Sequence, residues 1–232
     1  MFRALVFWFP AFLFSTTVHE AAHAWAARRG GDSTAHERGL VSLSPWPHVG
    51  RSPVGMLFVP IVTSILNGWT MGWATTPYDP GWAERHPRRA AWMAAAGPAG
   101  NLGLAACAFA LLRAGLAWGL FVAPADATLD RLADPALRGV PFEWCAFLAT
   151  GLSVLLMLNV ILLAFNLLPL PPLDGAGVVT LFVPEDAARA VRRWTTLPGL
   201  SFVGILAAWQ LFPRLTHPLF DLVVRLLYPG QY

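Results

Sequence analysis

Lysine is absent from this 232-residue chain, and charge of either sign is scarce. Asp, Glu, Lys and Arg together make up 12% of the residues, against roughly 25% in soluble domains. A disordered chain or an ordinary soluble enzyme needs more charge than this, and a nucleic-acid-binding domain needs a basic surface. Cysteine is nearly missing too. Cys107 and Cys145 both sit in or beside apolar runs, match no metal motif and imply no disulfide framework. Extended polar sequence is equally lacking. The longest clearly polar stretch, Arg28 to Pro53, is far below the size of a further folded domain.

What remains is apolar. Hydrophobic residues make up 56% of the chain, with 11 Trp, 15 Phe and a mean hydropathy of +0.54. That composition points to a polytopic membrane protein bathed in a lipid bilayer. The net charge of +3 reads as loop charge that orients the chain, with no nucleic acid as partner. A spanning helix needs about 20 residues, so the expected fold is an all-α membrane protein of about five to six transmembrane segments.

The first apolar run extends from Arg3 to about Ala27 and reads as a retained span that Pro10 should kink. Gly39 to Ser44 alternates weakly and predicts a short β element near 39–44. Residues 54–77 are apolar but interrupted by Pro60, Asn67, Gly68 and Gly72. Ala90 to Val122 and Phe142 to Leu168 are long apolar stretches, the second the strongest in the chain. After the charged stretch 184–198, Gly199–Phe212 and Leu219–Leu227 fit one span broken at Pro213 or two short ones. Four Arg lie between Arg28 and Arg51, three in Arg85–Arg89 and three in Arg189–Arg193. The loop at 123–141 carries Asp126, Asp130 and Asp134 beside Arg131 and Arg138. The positive-inside bias puts the three Arg-rich loops in the cytoplasm and the acidic loop outside. Segment 54–77 lies between two Arg-rich loops, so it should enter and leave on one side as a re-entrant or irregular segment. The Trp residues at 46, 69, 73, 82, 92, 118 and 144 fall near predicted span ends, as in an aromatic belt.

Within the first apolar run stands His19-Glu20-Ala21-Ala22-His23, an HExxH motif. Residues i and i+4 share a helix face, so both imidazoles can bind one zinc ion. Glu20 is rotated about 100° from His19 and can reach a water beside the metal as a general base. The same residues could form a polar cluster at a helix end, but two His and one Glu in apolar sequence are costly and mark function by default. Catalytic zinc usually takes a third protein ligand. His36, His48, His86 and His217 lie in loops and read as solvated. Asp174 is the better candidate, since it is the only acid between Glu143 and Glu185 and follows the strongest span. Alone, it would read as a helix cap or an Asx-turn.

These motifs resemble those of the site-2 protease family of intramembrane zinc metalloproteases. His19–His23 is similar to the family's HExxH helix. Asn166-Leu-Leu-Pro-Leu-Pro-Pro-Leu-Asp174-Gly175 resembles its Asn/Asp-Gly motif, and Gly97-Pro98-Ala99-Gly100-Asn101 its GP-x-x-N element. Leu43-Ser44-Pro45 and Gly72 to Pro80 resemble two loop segments of the smaller members, with Ser44, Thr75 and Thr76 as departures. The resemblance implies one zinc per chain on His19, His23 and Asp174, with Glu20 catalytic. It implies a single metalloprotease domain over 1–232, with no room for PDZ or CBS domains. It also implies a prokaryotic cell membrane, an active site towards the cytoplasm, transmembrane protein substrates and a place in regulated intramembrane proteolysis. Asn166 is expected to hold substrate or donate to the oxyanion, or else to bond another helix. Asn101 is a substrate or oxyanion candidate between that role and helix packing. Asn159 reads as an interhelical hydrogen bond. A metal-binding transporter and a catalytically silent membrane scaffold are the alternative readings of the same residues.

Overall fold

The computed structural model describes residues 3–136, 141–195, 197 and 199–230. Arg138 and Pro198 lie outside the described residues. A π-helical turn, Ala4–Trp8, leads into α1, Phe9–Arg29. Pro10 stands in the first turn of α1. Proline offers no N–H and its ring crowds the carbonyl four residues back, so the wider π turn sits where a kink was expected. The arrangement recurs at Val54–Phe58, a π turn leading into α4, Val59–Asn67, with Pro60 in its first turn.

Short helices α2, Thr34–Glu37, and α3, Pro45–Arg51, occupy the first Arg-rich loop. The expected strand at 39–44 does not form. Gly39 takes a positive φ of 72°, Leu40 tucks against Ala24 and Ala35, and Pro45 opens α3. The alternation there reflects one buried anchor, Leu40, within a bend. The only sheet among the described residues lies in the expected outer loop. There β1, Phe121–Val122, pairs antiparallel with β2, Asp134–Pro135.

Helix α5, Pro80–Arg85, is capped by Asp79, whose carboxylate accepts from the N–H groups of Gly81 and Trp82. It is followed by α6, Pro87–Ala117, and α7, Phe142–Asn166. Then come α8, Asp174–Val178, a 3-10 turn, α9, Glu185–Thr195, and α10, Leu200–Leu227. Helix α10 runs unbroken through Pro213 and Pro218.

Two described helices, α6 and α7, are long and apolar enough to cross a membrane. The number rises to four if each bent pair, Pro45–Arg51 with Val54–Asn67 and α9 with α10, is one span. The first pair bends by 115°, as suits a broken span or a re-entrant segment. Helix α6 packs on both α1 and α7. Small residues at its seams, Ala105 and Ala108, let the backbones approach closely. Phe121, Leu132, Leu156, Met157 and Leu227 fill the adjoining core. Gly204 of α10 lies against the carbonyl of Pro171, leaving no room for a Cβ. Trp82, expected in the aromatic belt, is instead buried between Ala27 and Ala90, with its indole N–H on the Gly30 carbonyl.

Candidate active site

Helix α1 buries His19, Glu20 and His23, each 7% exposed or less. The four-residue spacing brings the two imidazole Nε2 atoms within 3.0 Å, with the rings at 83°. Each remaining ring nitrogen has a partner on α6. His19 Nδ1 is 2.6 Å from Asn101 Oδ1, and His23 Nδ1 is 2.7 Å from the Met93 carbonyl. A carbonyl only accepts, so His23 Nδ1 is the donor and the neutral ring's Nε2 keeps its lone pair.

Asp174 opens α8 but does not cap it. Leu173 holds the N-cap position, and no side-chain capping bond forms there. The carboxylate instead faces the histidines. Oδ2 lies 3.0 Å from His19 Nε2, and Oδ1 lies 3.3 Å from His23 Nε2. Despite that proximity, Oδ2 is buried without a hydrogen-bond partner. One ligand atom from each of the three residues falls within 4.8 Å of the others. Lone pairs gathered this closely are relieved by a cation. Two imidazoles and a carboxylate are a zinc donor set, and donor atoms on a tetrahedral zinc ion stand about 3.3 Å apart. The residues present therefore fit the metal.

The backbone around the cluster is shaped to it. A Cβ on Gly97 would fall on the Nε2 atoms of both histidines. A Cβ on Gly175 would meet the carbonyls of Leu167 and Leu168. These two glycines let α6 and the Asp174 turn close on the site.

Glu20 points its carboxylate to a different partner. Thr76 donates to Glu20 Oε2 at 2.6 Å and lies 3.0 Å from the Glu20 carbonyl. Thr76 belongs to a strip without regular secondary structure, residues 70–79, that is held at several points. Trp73 N–H donates to the Gly55 carbonyl, and Arg51 Nε donates to the Thr75 carbonyl. Asp79 N–H donates to Asp32 Oδ2. Among the described residues, the N–H groups of Ala74, Thr75, Thr76 and Tyr78 donate to nothing.

The other expected residues have these partners. Asn101 is fully buried, and both ends of its amide are engaged, by His19 and by Asn159. In this placement the Asn101 side chain stands between His19 and Asn159, on the side of His19 away from Asp174. Asn166 donates to the Leu162 carbonyl of its own helix. His48, expected to be solvated, is buried and bonds the Ser42 carbonyl. His36 and His217 are exposed, and neither they nor His86 joins the cluster.

The contacts of Thr76 and Asp32, and the bond of Asn159 to Asn101, were not legible in the sequence. The only trace of Thr76 was its departure from the family's loop pattern. Burial of Asp32 would raise its pKa. The hydroxyl and N–H of Thr34 and the N–H of Asp79 outweigh that and hold it below the usual carboxylate range.

Helices apolar enough to cross a membrane, a His-His-Asp group that could hold a metal, and Glu20 directly after His19 on α1 are the features of a metalloprotease with membrane-spanning helices. The chain belongs to peptidase family M50, whose profile matches residues 7–205. It is 32% identical to the protein named "Putative zinc metalloprotease YwhC" of Bacillus subtilis, over 87% of this chain and 82% of that one. It is 28% identical to "Putative zinc metalloprotease Rip2" of Mycolicibacterium smegmatis, over 91% of this chain and 69% of that one. No solved structure gives a significant match. The resemblance to site-2 proteases is thereby borne out. The enzyme is a zinc metalloprotease, and its apolar helices suit an integral membrane protein.

Proposed function

We propose that this chain is an intramembrane endopeptidase that hydrolyses peptide bonds in or near transmembrane segments of other proteins. The observation that carries the reading is the orphaned Asp174 Oδ2, buried against the imidazoles of an HExxH helix. His19, His23 and Asp174 would hold the zinc ion. Bound there, zinc supplies a Lewis acid that polarises the scissile carbonyl and eases deprotonation of water. Glu20 takes the proton from the attacking water. Water oxygen bonds to the carbonyl carbon, the C–N bond breaks, and Glu20 returns the proton to the leaving amine.

A membrane-spanning substrate is helical, with its carbonyls internally bonded. It must be extended before attack. The strip at 74–78 offers unpaired N–H groups immediately beside Glu20, an edge suited to strand addition. Substrates with Gly, Pro or Asn near the cut unwind most readily.

Further spans and an orientation complete the reading. Helix α1 is 21 residues long, about 31 Å of helix, and counts as a span despite its polar triad. With α6, α7, α10 and the bent 45–67 segment it brings the total to about five in one domain. His23 lies five residues before Arg28, so the site sits just beneath the Arg-rich, cytoplasmic end of α1. Such a position suits release of a membrane-tethered regulator into the cytoplasm.

The test is purification in detergent, a zinc measurement and incubation with transmembrane peptides. Zinc near one per chain, with cleavage lost in Glu20→Gln, is expected. Cleavage that survives Glu20→Gln overturns the assignment of the base. Metal flux through wild-type protein in vesicles, without peptide cleavage, would favour a transporter.

A further inference from the structure

Behind the metal site lies a closed polar ring that crosses three helices. It runs from His19 on α1 to Asn101 on α6 and Asn159 on α7. From there it returns to Ser15, one turn before His19 on α1. Ser15, Asn101 and Asn159 are fully buried. Water does not compete for these bonds, so each donor and acceptor must find its match within the protein.

One backbone atom sets the direction of the whole ring. Asn159 approaches the Leu155 carbonyl at 2.8 Å. A carbonyl can only accept, so the Asn159 atom there is the amide nitrogen. The same nitrogen meets Ser15 Oγ at 2.8 Å. Asn159 Oδ1 must then face Asn101, and at 2.8 Å it accepts from Asn101 Nδ2. Asn101 is left with its oxygen towards His19, 2.6 Å from Nδ1. An amide oxygen next to Nδ1 requires the proton on Nδ1. In the neutral ring, the lone pair is then on Nε2, the nitrogen facing His23 and Asp174.

We propose that Asn159, acting through Asn101, sets the tautomer of His19 and thereby tunes zinc affinity. This inference rests on the reading of His19, His23 and Asp174 as the metal site. Asn101 and Asn159 are positioning residues, since neither belongs to the ligand group. Without Asn159, the Asn101 amide loses the acceptor that orients it. It is then free to rotate and present Nδ2 to His19. That rotamer favours the proton on Nε2, the tautomer that cannot ligate. Outer partners of this kind are worth about 10- to 100-fold in metal affinity.

The test reads the tautomer directly. The zinc-free protein, with histidines labelled with nitrogen-15, is compared with Asn159→Ala and Asn101→Asp by NMR, and zinc affinity is measured by competition with a chelator. Wild-type His19 should carry its proton on Nδ1. Asn159→Ala should move a substantial fraction to Nε2 and weaken zinc binding at least tenfold. Asn101→Asp presents only acceptors to His19, so Nδ1 should stay protonated and zinc should bind at least as tightly as in wild type. An unchanged His19 tautomer in Asn159→Ala, with zinc affinity within twofold, overturns the proposal. Should Asn159→Ala fail to fold, the wild-type spectrum still decides, because a His19 proton found on Nε2 alone contradicts the proposal. A wild-type protein that binds no zinc would defeat the metal-site reading instead, and the NMR comparison separates the two failures.

Discussion

The Thr76 hydroxyl donates to Glu20 Oε2 across 2.6 Å, joining the 70–79 strip to the acid next to the first histidine. One carboxylate oxygen of Glu20 is thus occupied, leaving Oε1 for the general-base role proposed for this residue. Thr76→Val removes the donor at nearly constant volume. Turnover should fall about tenfold, the rate equivalent of a lost hydrogen bond near 1.4 kcal/mol. Zinc content should stay the same, and Thr76→Ser should restore most of the rate. Equal kcat in Thr76→Val and wild type would show that Glu20 needs no such support.

Asp174→Ala should sharply reduce bound zinc. Two imidazoles alone leave the site one protein ligand short. Metal analysis of the purified variant checks this, and full occupancy would place the third ligand elsewhere. Glu20→Gln, by contrast, should keep its zinc while cleavage falls by roughly 10²- to 10⁴-fold.

Gly97 and Gly100 make a paired comparison on one helix. A Cβ at Gly97 collides with the Nε2 nitrogens of both histidines. A Cβ at Gly100 meets only Ala22 and Val18 at an ordinary 3.5 Å. Gly97→Ala should therefore lose zinc and activity, whereas Gly100→Ala should retain both. Similar zinc binding in the two variants would contradict this geometry.

Asp32 gives the strip a pH dependence. Its folded pKa is depressed, so its contribution is fully present above the unfolded value of about 3.9. The contribution is lost as pH falls through the lower, folded value. Protease cleavage within residues 70–79 should accelerate at acid pH in wild type. Asp32→Asn should flatten that dependence, and an unchanged profile would remove Asp32 from the attachment.

The grouping of His19, His23 and Asp174 was legible where the signal was local. HExxH needs only helical spacing, and Asp174 stood out because apolar sequence surrounds it. What depended on distant partners was not legible. Asn159 reads as a helix-packing amide, and it is one. Its bearing on His19 emerges only when α6 stands between them. Trp82 carries the same composition signal as the belt tryptophans, but α5 folds it inward onto Gly30. The weak alternation at 39–44 lacked a partner strand, while the actual pair at 121–122 and 134–135 is too short to leave a pattern. The count of spans was blurred because α1 mixes its apolar length with His19, Glu20, His23, Arg28 and Arg29, which pull down its hydropathy.

The meeting of Gly204 with the Pro171 carbonyl ties the last helix to the turn that delivers Asp174. That contact is backbone to backbone, with no side chain to act as a cushion. Displacement of α10 is therefore transmitted to the loop three residues before Asp174. Even the smallest side chain at position 204 would therefore press on the turn that carries Asp174.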